Sequence, residues 1–303
     1  MTDRLIPVVF VLIWSTGFIG AAAVAPYAEP ATFLALRFLC VAAILACAIG
    51  WLRSNKLSPR DWCVAAVTGA LIHGVSLGCV FWAVDRGLPT GVVALIVCLQ
   101  PLLTAVASSL FLGEALRWRN WAGLVVALGG AAMVVGPQTI EGSAGFAVWN
   151  VAACVIALFA LTTGTVLQKA YAAAIDFRGA LLPQYLGATM VVGAFSLMFE
   201  TQDITWTVEF VAALAWLVLV LSIGGVSLLF FMIERGAVWR TAALFYLVPP
   251  TTALMGWIGF GETLTALQMA GMAIVAVSVF VARTTPLPSR PASFEEARDD
   301  HRA

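Results

Sequence analysis

Apolar residues along this chain neither alternate nor recur every three to four positions; they run on for about twenty at a time, and short segments rich in Pro, Gly, Ser and charge divide the runs. About twenty apolar residues, at 1.5 Å each in a helix, cover the roughly 30 Å of a bilayer's hydrocarbon core. Ten runs qualify, at roughly 6–24, 31–52, 62–84, 88–111, 119–136, 145–168, 179–199, 208–233, 238–260 and 266–282. The pattern therefore predicts an all-α integral membrane protein of ten transmembrane helices, with turns at Pro26 to Pro30, Ser54 to Asp61 and Gly136 to Gly145. Arg4 ahead of the first run and the small residues Ala21 to Ala28 resemble a cleaved leader. Nine further spans favour a first helix that serves as insertion signal and stays.

Composition agrees with the pattern. The chain is 62% hydrophobic and 11% charged, against about 45–50% and about 25% for soluble domains. Its 16 basic and 16 acidic residues cancel, so net charge points to no partner and argues against nucleic acid. Their placement is more telling. With the N-terminus inside, fourteen of the basic residues fall in the cytoplasmic loops and the tail, only Arg86 falls outside, and Arg37 lies within the second span. That bias predicts both termini in the cytoplasm. Residues 284–303 are polar and Pro-rich, and read as a disordered cytoplasmic tail. The six cysteines lie inside apolar runs without metal-ligand spacing, so neither metal nor cofactor is expected.

The chain also repeats itself. Asp85-Arg86-Gly87 matches Glu234-Arg235-Gly236, and fifteen residues after each Arg stands a mid-span proline, Pro101 and Pro250. Ala94-Leu95 matches Ala243-Leu244, Phe111-Leu112-Gly113-Glu114 resembles Gly259-Phe260-Gly261-Glu262, and Gly123 matches Gly271. Trp14 to Gly17 weakly resembles Leu161 to Gly164 at an offset of 147, which sets Arg37 opposite Gln184. Residues 1–138 and 139–283 thus read as two five-helix repeats. Five is odd, so the second enters the membrane from the other side, and such inverted repeats bind cargo near the midplane between them.

Leu99-Gln-Pro-Leu-Leu-Thr104 followed by Phe-Leu-Gly-Glu114, with Glu29-Pro-Ala-Thr-Phe-Leu-Ala-Leu-Arg37, resembles the drug/metabolite transporter superfamily, EamA type. The resemblance spans nearly the whole chain to about residue 283 and implies a carrier in the inner membrane. Members export amino acids, other metabolites or drugs, and relatives carry nucleotide sugars, so the cargo stays open.

Among candidate site residues, Pro101 removes the amide that would bond the Val97 carbonyl, and Pro249 and Pro250 do the same to Phe245 and Tyr246. Paired interruptions point to a cavity, although a packing kink is the plainer reading. His73, at the centre of the third span, is a binding or proton site, or else a neutral histidine bonded to a neighbouring helix. Arg37 suits a carboxylate geometrically, but its depth of about 9 Å favours structural anchoring, by snorkelling to the interface or binding backbone carbonyls. Gln100, Thr104 and Ser108 form one polar stripe, Asn150 and Cys154 another, and Gln184 stands alone. Such groups line a cavity or glue helices together. Trp14, Trp82, Phe245 and Tyr246 are candidates for an aromatic wall, with Trp82 out of phase with His73. Glu114 and Glu262 are gate residues or simple helix-end charges. The small-residue stripe Gly123, Ala127 and Ala131 suits close packing, within a monomer or a homodimer.

The absence from the sequence of paired acids, a nucleophile triad or a phosphate loop argues against a membrane-embedded enzyme. A nucleotide-sugar or organic-phosphate exchanger would want several midplane cations. The expectation is a secondary transporter of a small organic metabolite, an amino acid or an amphipathic drug-like compound, working by alternating access around a midplane cavity, with export as the direction.

Overall fold

The computed structural model describes residues 2–48, 57–112, 148–171, 177–234, 245–262 and 265–282, with isolated positions between 118 and 133. Among them the chain is helical, and the only β pairing is a bridge between Ala28 and Ile204. The helices are α1 (Thr2–Val24), α2 (Pro30–Ala48), α3 (Pro59–Gly69), α4 (Ser76–Asp85), α5 (Thr90–Val97), α6 (Gln100–Leu112), α7 (Val148–Tyr171), α8 (Phe177–Phe199), α9 (Val208–Ala215), α10 (Val226–Glu234), α11 (Val248–Phe260) and α12 (Ala266–Ala282). Among the described residues seven stretches are long and apolar enough to cross a membrane, and Ala266–Val277 forms a shorter apolar helix. The protein is a multi-pass membrane protein. The expected span at 119–136 lies mostly outside the described residues.

Four of the expected straight spans are not simple α-helices. α3 runs into α4 through a π-helical turn, Ala70–Val75, and α9 into α10 through another, Trp216–Gly225. A π turn widens the helix by one residue and changes which side chains share a face. The prolines break the helix outright rather than kinking it. α5 stops at Val97, a turn at Cys98 and Leu99 follows, and α6 starts at Gln100 with Pro101 in its first turn. Likewise a 3-10 turn, Phe245–Leu247, precedes α11, whose first turn holds Pro249 and Pro250. A first turn has no intrahelical acceptor for its amides, so proline there removes no bond within α6 or α11 and leaves only the carbonyl four residues earlier, outside the helix, without an amide.

The bundle interior is apolar, with Phe10, Phe33, Phe38, Phe210, Leu34, Leu88 and Leu95 wholly or almost wholly buried. Lipid is as apolar as these side chains, so close fit rather than water exclusion holds such helices together. The fit is tightest between α3 and α8. A Cβ on Gly69 would sit 2.1 Å from the Gln184 carbonyl oxygen, and one on Gly187 would sit 2.1 Å from that of Ala66. Only glycine allows backbones that near.

One end of the bundle, which carries Glu29, Glu200 and Glu262, is tied by carboxylates on helix N-termini. Glu200 accepts from the amides of Ala31 (2.9 Å) and Thr32 (2.7 Å) and from the Thr32 hydroxyl at the start of α2. Glu29 accepts from the Thr201 amide and hydroxyl. The Ala31 and Thr32 amides are orphans at the positive end of the α2 dipole, where a carboxylate is favoured, whereas the Thr201 amide lies in the loop after α8.

Candidate functional site

The two helix breaks face each other. The Cys98 thiol, in the break between α5 and α6, donates to the Phe245 carbonyl at 3.2 Å. That carbonyl is one that Pro249 leaves without its usual amide partner. Phe245 also meets Trp14 edge-on, with centroids 5.1 Å apart at 87°, and Phe10 at 5.3 Å. Trp14 and Phe245, proposed as an aromatic wall, are therefore in contact, joined by Phe10. The Tyr246 side chain and all of Glu114 lie outside what is described. Pro249 is buried and Pro250 exposed, so of that pair only Pro249 faces the interior.

Gln100 belongs to this region. Its amide nitrogen donates to Thr104 and to Thr165 of α7, each at 3.1 Å. The stripe thus ties α6 to α7 at Gln100, while the Ser108 hydroxyl is buried without a partner. Asn150 bonds the Arg86 carbonyl instead, which makes it helix glue. Trp82 packs against the Arg86 guanidinium at 5.2 Å, apart from His73.

His73 does not join Gln100. It sits in the first π turn and its ring stacks on Tyr185 of α8, centroids 4.9 Å apart and nearly parallel at 4°. Phe38 lies 6.3 Å away, and the Gln184 side chain is its hydrogen-bonding partner. Beside it is Arg37, which is only 4% exposed. The snorkelling expected from its depth is not what the fold does: the side chain turns inward, and Nη2 donates to Ser222 Oγ at 3.0 Å, in the second π turn. Tyr185 also reaches Ser222. Arg37, His73, Gln184, Tyr185 and Ser222 form a buried polar cluster drawn from α2, α8 and both π turns.

Sequence reasoning missed Tyr185 and Ser222, and left Gln184 alone. A signal was present. His73 precedes Arg86 by thirteen residues, as Ser222 precedes Arg235, and Arg37 corresponds to Gln184. Two bonds of the cluster thus pair these positions crosswise, Arg37 to Ser222 and Gln184 to His73.

Glu262 acts as a helix cap rather than a free charge. Its carboxylate accepts from the Thr90 amide at 3.1 Å and the Thr90 hydroxyl at 2.9 Å, at the N-terminus of α5. Gly261, at φ 68°, turns the chain back so that Glu262 can reach. Gly256 leaves room, since a Cβ there would lie 2.4 Å from Glu262 Oε2. A shallow groove lined by Trp206, Val208, Val211 and Ala215 lies at this end too, on exposed apolar side chains and away from the cluster.

Compared with known proteins, the chain matches the model of the EamA-like transporter family over residues 5–136 and 148–284. It is 25% identical to an uncharacterized inner membrane transporter, YedA, of Escherichia coli, over 88% of this chain and 86% of that one. It is 25% identical to a probable terminal-alkyne amino-acid exporter of Streptantibioticus cattleyicolor, over 85% of each. A probable amino-acid metabolite efflux pump of Salmonella typhimurium is 23% identical, over 92% and 94%. One solved crystal structure superposes with a TM-score of 0.65 at 20% identity, covering 94% of this chain and 99% of its own, a likeness of fold.

Proposed function

The chain belongs to the EamA-like transporter family, within the drug/metabolite transporter superfamily, and on that premise we propose that it is an inner-membrane secondary transporter that exports a small organic metabolite by alternating access. Ten helices form two inverted five-helix repeats, residues 1–138 and 139–283, with both termini in the cytoplasm. The two stretches matched by the family model fall on either side of the same division. The paired π turns and paired helix breaks fit that symmetry, because equivalent positions carry equivalent irregularities.

The observation that carries the reading is the contact between the two breaks, Cys98 to Phe245. Irregular backbone is tolerated at membrane depth only where protein or a polar cavity covers it. Broken helices that meet at the repeat interface are where such carriers hold their cargo. Trp14, Gln100, Pro101, Phe245, Tyr246 and Pro249 belong to this wall, and His73 and Arg37 to the adjoining polar cluster. Glu262 and Glu200 latch one end, which the loop charge bias makes the outer one. Those contacts open when cargo leaves, and Glu114 is the counterpart on the inner face. An amino acid or an amphipathic compound is the cargo class, in keeping with the relatives' names.

The test is an export screen comparing metabolites released by cells with and without the protein, followed by uptake and counterflow with purified protein in liposomes. Saturable counterflow supports a carrier. Chemical conversion of the compound, or linear flux that never saturates, sinks the reading.

A further inference from the structure

We propose that Arg37 is the anchor for a carboxylate on the cargo, with Ser222, Tyr185, Gln184 and His73 as its neutral surround. The inference rests on the carrier reading and narrows its cargo to carboxylate-bearing metabolites. A guanidinium presents five N–H donors. Here one bond is made, to Ser222, and Nε is buried with no partner. Among the described residues no acidic side chain pairs with Arg37. Phe38, 5.8 Å from the guanidinium carbon, lies near the far limit of a cation–π contact. A buried charge left this way is costly unless something supplies the missing anion.

The surround says which anion. Tyr185 (2% exposed), Gln184 (3%) and Ser222 (6%) offer hydroxyl and amide donors, and none adds a second fixed positive charge. A planar carboxylate takes two parallel bonds from a guanidinium, through the edge that carries Nε. A phosphate dianion calls for more than one cation. At the position corresponding to Arg37 the second half has Gln184, so the two halves together supply a single charge and suit one anion per cycle. The rings of Phe38, His73 and Tyr185, within 4.9–6.3 Å of one another, provide an apolar wall beside it.

The experiment measures thermal stabilisation of the purified protein by matched pairs, benzoate with benzamide, 4-methylpentanoate with its amide, and leucine with leucinamide. Wild type is expected to prefer at least one carboxylate over its amide by about tenfold in apparent affinity. Arg37→Gln should erase that preference, Arg37→Lys should keep part of it, and Ser222→Ala, which retains the cation, should weaken it less than Arg37→Gln does. Loss of selectivity separates an anchor from a merely structural arginine, which would lower stability without equalising acid and amide. If no carboxylate outperforms its amide, or if the preference survives in Arg37→Gln, the proposal is overturned. Saturable counterflow of a compound lacking a carboxylate overturns the anchor and leaves the carrier reading standing, whereas the absence of any saturable flux fells the carrier reading itself.

Discussion

The acidic end of the bundle and its buried polar cluster treat charge in opposite ways. At the end, Glu29, Glu200 and Glu262 each rest on helix N-terminal or loop amides, so every one of these carboxylates has its partners within the fold. In the cluster, Arg37 has one hydroxyl and no anion among the described residues. Charge at the end closes the structure, and charge inside meets no anion among the described residues. If Arg37 anchors cargo as proposed, the difference separates residues that hold helices together from those that select cargo, although both kinds are polar and paired across helices.

The largest effect should come from pulling the cluster apart at its foundation. Gly187→Leu places a side chain where the Ala66 backbone already stands, so α3 and α8 must separate and Gln184 must leave His73. The expected cost is about 3 kcal/mol or more, read as a collapse of the melting transition in detergent. Gly193, on the same helix with nothing within 4 Å of its Cβ, is the control, and Gly193→Ala should leave melting unchanged. Equal damage at the two sites would show that the close approach does not define the cluster.

Next come the capped ends. Glu200→Gln removes the charge on two backbone amides and should cost about 1–2 kcal/mol. Glu29→Gln, whose bonds to Thr201 are exposed, should cost about half of that. Glu262→Gln and Gly256→Ala disturb one contact from two directions, since the added methyl displaces the carboxylate from Thr90. Their melting shifts should therefore be similar and should not add in the double variant. None of the three glutamine variants should alter the preference for carboxylate over amide. A change in that preference would dissolve the distinction between the latched end and the cluster.

Much of this was legible in the sequence, because run length and loop charge report on the bilayer rather than on packing. Runs near twenty residues located α1, α2, α7, α8 and α12 to within a few positions. The Gly-Glu pair falls at Gly261 and Glu262, where α11 ends, and the mid-span prolines fall at the helix breaks. The π turns were not legible, since an extra residue per turn leaves hydropathy unchanged while rotating His73 away from Gln100. Arg37 misled for a related reason. Its depth measured along the helix allowed an escape to the interface, but the direction of the side chain is set by Ser222 on another helix, 185 positions away. Tyr185 passed unnoticed as one more aromatic residue in an apolar run.

The smallest effect tests whether the helix breaks belong with the closed end or with the open cluster. The Phe245 carbonyl, freed by Pro249, is already met by the Cys98 thiol, which places it with the satisfied groups. Cys98→Val preserves volume and removes the donor, and should cost about 0.5–1 kcal/mol. Cys98→Ser, with a stronger donor at a shorter reach, should recover part of that loss. Cys154, equally buried but without a hydrogen bond of its own, should tolerate Val within about 0.5 kcal/mol. If Cys98→Val instead matches wild type in melting, the thiol is not what satisfies the carbonyl. The break would then stand with Arg37 as backbone polarity held open toward the cargo, and the wall of the cavity would extend from Ser222 to Phe245.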